Sequence, residues 1–119
     1  KERSLEDVMT AKIITAKLSD KAKAVVSMMS QKNISQIPIV AGDNVVGLVS
    51  ESSALEHAER LKNATAAEIM GEAPPIVSAT TSFSVVSQLL KYSSIVLVKK
   101  KGILTGVITR SDLLRKAFT

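Results

Sequence analysis

Thr109, Arg110 and Asp112 stand together in the phrase TGVITRSDLL, residues 105–114. A hydroxyl residue that ends a strand and begins a helix leaves the first helical amides open to an anion. Helix N-termini attract phosphate through those amides and the helix dipole. Arg110 adds a formal positive charge at the same point. Asp112, one turn later, is placed to accept two hydrogen bonds from a ribose cis-diol, the role of the acidic residue in dinucleotide sites. Val107, on the strand before, offers an apolar wall to a purine ring. The spacing Thr-x-x-Asp also fits a capping box with Asp in place of Glu or Gln, which requires no ligand. The two readings are compatible, since Thr109 can serve both. An earlier phrase, VGLVSESSAL, residues 46–55, repeats the pattern with Ser53 where Asp112 stands. A neutral hydroxyl offers a diol weaker hydrogen bonds than a carboxylate does.

Other chemistries find few residues. The chain has no Cys, which removes disulfides, thiol nucleophiles and thiolate metal sites together. His57 is the single His, too few for a His-based metal site or a His-centred triad; it reads as a helix-surface residue. Glu51, Glu56, Glu59 and Glu68 form no catalytic carboxylate pair. Met9, Met28, Met29 and Met70 read as core fillers. An enzyme is therefore not expected. The net charge is +5, but the Lys residues are scattered, and the one dense cluster, Lys99-Lys100-Lys101, precedes Gly102 as a solvated hairpin turn would. Binding of single-stranded nucleic acid uses aromatic platforms, and aromatic residues are 3% of the chain. No nucleic-acid contact is expected; the charge suits an anionic small ligand or an acidic partner. No apolar run approaches the roughly 20 residues of a membrane-spanning helix. The N-terminal KERSLEDVMT lacks a signal-peptide apolar stretch, so a cytoplasmic location without membrane contact is expected. The missing initiator Met suggests a piece of a longer chain.

The elements that must position these residues come in two copies. Val8-Met9-Thr10 matches Ile69-Met70-Gly71, Ile37-Pro38-Ile39-Val40 matches Ile95-Val96-Leu97-Val98, and Gly47-Leu48-Val49-Ser50 matches Gly106-Val107-Ile108-Thr109. Between Leu90 and Ile95 the second copy is shorter by about one helical turn. Each copy opens on an extended segment (12–16; 76–79). A helix follows: from Asp20 to about Lys32, with Ala24, Val25, Met28 and Met29 inward, and from Ser82 to about Tyr92, with Val85, Val86, Leu89 and Leu90 inward. Asp20 and Ser82 are the expected N-caps, and Pro74-Pro75 breaks the chain ahead of the second extended segment. Two apolar strands come next, joined by tight turns at Ala41-Gly42-Asp43-Asn44 and at the Lys cluster. Helices over 52–61 and 111–118 close the copies. The order is β-α-β-β-α, twice, an α/β (α+β) fold of two repeats, 1–62 and 63–119. One copy alone is marginal; two packed together bury a shared aliphatic core, and hydrophobic residues are 45% of the chain.

This doubled pattern resembles a tandem pair of cystathionine-β-synthase (CBS) domains, a Bateman module. The resemblance covers nearly the whole chain and rests on DVMT and EIMG, ISQIPIV, GLVSESS and GVITRSD, doubled in register. More narrowly, ISQIPIVAGDNVVGLVSES and APPIVSATTSFSVVSQLLKYSSIVLV are similar to the CBS pair at the C-terminus of archaeal helix-turn-helix transcription regulators, although no helix-turn-helix is found in these residues. The resemblance implies two repeats packed with pseudo-two-fold symmetry and a regulatory module that senses an adenosine nucleotide or adenosyl compound: AMP, ATP or S-adenosylmethionine. No cofactor is required. By that likeness the ligand pocket uses Thr10, Ile13, Thr15, Ile34, Ser35, Ser93, Val107, Thr109, Arg110 and Asp112. A mirror pocket uses Leu48, Ser50, Ser53, Val77 and Tyr92, again with Ser35. Ser53 in the acid's place and Gly71 in place of the Thr10 hydroxyl make the mirror pocket the weaker one. CBS pairs commonly associate face to face, and Ala54, Leu55, Ala58, Leu61, Leu113, Leu114, Ala117 and Phe118 supply apolar closing helices, so a homodimer is expected. The alternative is a structural dimerisation module with vestigial pockets.

Overall fold

A computed structural model describes residues 4–117. Its elements in order are α1 (Leu5–Val8), β1 (Ala16–Lys17), α2 (Ala22–Lys32), β2 (Gln36–Ala41), β3 (Asn44–Ser50), α3 (Glu51–Glu56), α4 (Ala66–Ile69), β4 (Ile76–Ser78), α5 (Phe83–Leu90), β5 (Ile95–Lys100), β6 (Ile103–Thr109) and α6 (Arg110–Asp112). A 3₁₀ turn, Ala58–Arg60, follows α3, and a π-helical turn, Leu113–Ala117, continues α6. The strands form two three-stranded sheets, β1-β2-β3 and β4-β5-β6, each with one parallel and one antiparallel pairing. The doubled order β-α-β-β-α is therefore present, with a short helix, α1 or α4, ahead of each copy that periodicity did not reveal.

The chain divides into two compact units, cut differently from the sequence repeats. One is Ile14–Ala73; the other joins the segment ending at Ile13 to the segment starting at Pro74. Each unit has its own aliphatic core. In Ile14–Ala73 it is built on Val25, Met29, Ile37, Ile39, Val49 and Ile69. In the other, Leu5 and Val8 of α1 are buried with Val86, Leu90, Val96, Val98, Ile108 and Leu113. Both faces of β2 and β5 are covered, so their apolar runs are continuous rather than alternating: Ile37–Ile39 and Ile95–Val98 are buried throughout.

Local chemistry explains the element ends. Ser82 caps α5 as expected, its Oγ accepting from the Val85 N–H at 3.3 Å. Asp20 does not cap α2. The N-cap is Lys21, without a side-chain bond, and the Asp20 carboxylate instead accepts from the Lys17 N–H at 2.9 Å, closing the turn after β1. Ala24 and Val85 are exposed, not inward; Val25, Met29, Val86 and Leu90 carry the buried faces. Helix α2 has 11 residues and α5 has 8, the missing turn of the second copy. Asn33 ends α2 at φ 54, the left-handed C-cap position that Asn tolerates. The hairpin turns differ. Gly42 alone has positive φ in the first, whereas Lys101 and Gly102 both do in the second, the sign pattern of a type I′ turn. The closing helix over 52–61 breaks at His57, whose ring Nδ1–H donates to the Ser53 carbonyl at 2.9 Å, so His57 caps α3 instead of lying free on a helix surface. Pro74 and Pro75 stand just before β4, as expected. Phe118 lies outside the described residues.

Candidate functional site

Strand β6 delivers Val107 and Thr109, and α6 begins at the next residue. Thr109 Oγ1 accepts from the Asp112 N–H at 3.1 Å, and Asp112 Oδ2 accepts from the Thr109 N–H at 3.0 Å. The capping box is thus made in full, and it fixes the Asp112 rotamer. Oδ1 lies 3.6 Å from Lys116 Nζ, and the side chain keeps 18% of its surface exposed. One carboxylate oxygen is committed to the backbone; the other meets an ammonium at the edge of solvent. Thr10 pairs with Val107 through two backbone bonds, Thr10 N–H to Val107 O at 2.9 Å and Val107 N–H to Thr10 O at 3.0 Å. The unit therefore gathers Thr10, Val107, Thr109 and Asp112 onto one strand end. Ile13 and Ser93 belong to it too, with the Ser93 hydroxyl donating to the Ile95 carbonyl at 2.9 Å. Arg110 stands at the first position of α6 and has a backbone partner in the same unit. Its Nε donates to the Leu90 carbonyl at 2.6 Å, so it closes the C-terminal end of α5, where a cation meets the negative end of the helix dipole.

The unit Ile14–Ala73 repeats the arrangement with neutral groups. Ser50 Oγ accepts from the Ser53 N–H at 3.0 Å, and Ser53 Oγ accepts from the Ser50 N–H at 2.9 Å while donating to the Ser50 carbonyl at 3.2 Å. Ser53 is 8% exposed, and its hydroxyl donor is used within the box. Leu48 pairs with Gly71 as Val107 pairs with Thr10. Thr15, Ile34 and Ser35 belong to this unit; Ile34 packs on its core, and the Ser35 carbonyl accepts from the Glu51 N–H at 3.2 Å. Of the remaining predicted residues, Val77 packs on the core of the unit containing Asp112, and the Tyr92 ring in that unit is 89% exposed.

Some contacts that shape these strand ends were missed. Met9 and Met70 lie on the glycines of the repeated phrase. A Cβ at Gly106 would fall inside the Met9 thioether, and one at Gly47 inside the Met70 thioether. The glycine and the methionine are thus one packing device, written twice. Met29 is buried and Met28 partly so, in line with their core-filling role. Asp7 and Glu68 accept from the Ser4 and Thr65 N–H groups at 2.9 Å, closing α1 and α4. The pattern [ST]-x-x-[DE] at both places was signal enough. The Thr65 bonds, with Arg60 nearby, hold the Glu68 carboxyl below its ordinary range. Lys116, which meets Asp112 and also donates to the Val8 carbonyl at 3.4 Å, carried no signal in the sequence. Among the described residues no group of His, Asp or Glu is placed to hold a metal ion, and no helix is long and apolar enough to cross a membrane.

A glycine-led strand running into a hydroxyl-capped helix thus occurs once in each unit. The chain belongs to the CBS domain family, whose profile matches twice, over residues 5–60 and 66–118. No curated protein matches it in sequence. Solved CBS structures are similar throughout. The CBS-pair protein CBSX2 from Arabidopsis thaliana aligns with TM-score 0.82 at 19% identity, covering 98% of this chain and 95% of that one. CBSX2 in complex with AMP aligns with TM-score 0.82 at 21% identity, covering 96% and 95%. A CBS domain-containing protein from Bacillus anthracis aligns with TM-score 0.84 at 16% identity, covering 97% and 92%.

Proposed function

We propose that this CBS pair is a sensor of an adenosine nucleotide or adenosyl compound, of the AMP, ATP or S-adenosylmethionine class, serving a larger regulator such as a transcription factor in the cytoplasm, as a homodimer. The observation that carries the ligand reading is the joining of Thr10, Val107, Thr109 and Asp112 at one strand end. A carboxylate oxygen, hydroxyls and an apolar strand are groups that suit a nucleoside. The complex of CBSX2 with AMP supports it. Asp112 accepts the ribose hydroxyls; Thr109 and the first amides of α6 face the phosphate. Ile13 and Ser93, in the same unit, complete the set by family likeness, and the arrangement of Leu48, Ser50 and Ser53 in the other unit binds less well. Ser53 has its donor spent in its own capping box, which leaves it little to offer a diol.

The competing reading, a structural dimerisation module, draws on the same boxes, since Thr109 and Asp112 satisfy each other without a ligand. A thermal shift separates the two. AMP, ATP or S-adenosylmethionine at about 100 times Kd raises stability by roughly 2.7 kcal/mol. Asp112→Asn keeps a cap acceptor and loses the charge, so it should weaken binding about tenfold to hundredfold, the equivalent of roughly 1.5–3 kcal/mol for a charged hydrogen bond. Ser53→Ala should change binding far less. No shift with any of the three ligands sinks the sensor reading.

A further inference from the structure

The Lys cluster does more than terminate a hairpin. It rims a groove of about 1140 Å³ that lies wholly within the unit containing α1 and the second sheet. Lys99, Lys100 and Lys101 line it together with the hydroxyl-rich turn from Ser78 to Ser82, and Ala79 and Phe83 add apolar lining. Some of the polar groups already have partners: Lys100 pairs with Glu6 at 3.3 Å, Ser78 with Thr80 at 2.7 Å, and Ser82 caps α5. Among the described residues Lys99 and Lys101 have no carboxylate within ion-pair distance.

The hairpin itself does not require these lysines. At the matching turn of the other unit Gly42 and Asp43 make the connection. Lys101 also occupies φ 52, a left-handed position where Asn or Gly is at less cost. A positive side chain thus stands, against the local backbone preference, at a groove with apolar lining.

We propose that this groove binds a phosphate monoester with an aromatic or other apolar body, its phosphate held by the Lys99 and Lys101 ammonium groups and its body resting on Ala79 and Phe83. This site is separate from the residues around Asp112 and does not depend on the adenosine reading. Phenyl phosphate is the probe, titrated into the isotope-labelled chain and followed by amide NMR shifts, with inorganic phosphate and phenol as separate arms. Phenyl phosphate should move the amides of 78–83 and 99–102, bind at least about tenfold more tightly than either half alone, and weaken as salt rises. Lys99→Gln with Lys101→Asn should weaken it by about tenfold or more while the rest of the spectrum stays folded. The proposal is overturned if the shifts map to Thr10, Val107 and Asp112, if phenol alone binds as well, if the double variant binds unchanged, or if no amide moves at about millimolar ligand, the range of weak specific binding.

Discussion

Asp112 closes a capping box and still keeps one carboxylate oxygen outside it. Its Oδ2 holds the Thr109 N–H, and that bond leaves Oδ1 at the solvent edge beside Lys116. Ser53 keeps the folding half of the role in the other unit, with a hydroxyl that both accepts from and donates to Ser50. The Ser-for-Asp difference between the repeated phrases is therefore neutral for the helix start and decisive for charge. Without ligand, Asp112→Ala and Ser53→Ala should each lower stability by about 0.5–2 kcal/mol, the usual loss for an N-terminal cap. Urea unfolding of each variant measures this. A Ser53→Ala variant as stable as the parent would show that the Ser53 hydroxyl adds nothing to the box, whose other bond, from the Ser53 N–H to Ser50 Oγ, is left in place.

At the scale of elements, the two packing devices that seat the site are a short helix and a glycine. Helices α1 and α4 end in Met9 and Met70, and each methionine lies against the glycine of the strand that leads to the capping box. Gly106→Ala should cost about 1–3 kcal/mol through overpacking. Met9→Ala should also destabilise the chain, because it empties a partly buried site. Combined, the two substitutions should cost less than their sum, with a coupling of about 0.5–3 kcal/mol. Thermal or denaturant unfolding of the four species closes that cycle, and strict additivity would contradict the pairing. Gly47 differs in kind: besides the Met70 thioether, a Cβ there would meet the Gly71 carbonyl, which is backbone and cannot swing away.

For the whole molecule, the repeats as written and the units as folded are different partitions. Helix α1 precedes the first repeat's strands in sequence, yet Leu5 and Val8 are buried in the core with Val96 and Ile108. An N-terminal segment of this kind is no loose tail; Lys116 and the Glu6–Lys100 pair add polar ties to it. The surface also carries apolar side chains that neither core takes in, Leu55 at 75% exposed on α3 and Leu114 at 65% on the turn after α6. They are the positions from which the proposed homodimer would draw apolar area. Sedimentation should show a dimer at micromolar concentration, and Leu55→Asp with Leu114→Asp should yield a folded monomer. A monomeric parent at high micromolar concentration would refute the homodimer.

Much of this was legible in the residues. Continuous apolar runs at Ile37–Val40 and Ile95–Val98, glycine-bearing turns and the doubled phrase gave the two hairpins, because turn chemistry is a local signal; the parallel pairings of β1 with β2 and of β4 with β5 join residues far apart in the chain. Thr109-x-x-Asp112 announced its capping box by spacing alone. What the spacing could not carry was which partner a side chain finds across the chain. Nothing in its spacing announces that Arg110 meets the Leu90 carbonyl; Asp20 reads as a helix cap until the Lys17 amide takes it. Met9 reads as a generic core filler until Gly106 shows where it rests. The first closing helix reads as longer than it is, since periodicity does not foresee the break at His57. Local propensity set the elements, because each depends on neighbours within a turn. The packing of α1 beside the second sheet was decided only in three dimensions, where the apolar faces of Leu5 and Val8 met a core written about ninety residues later.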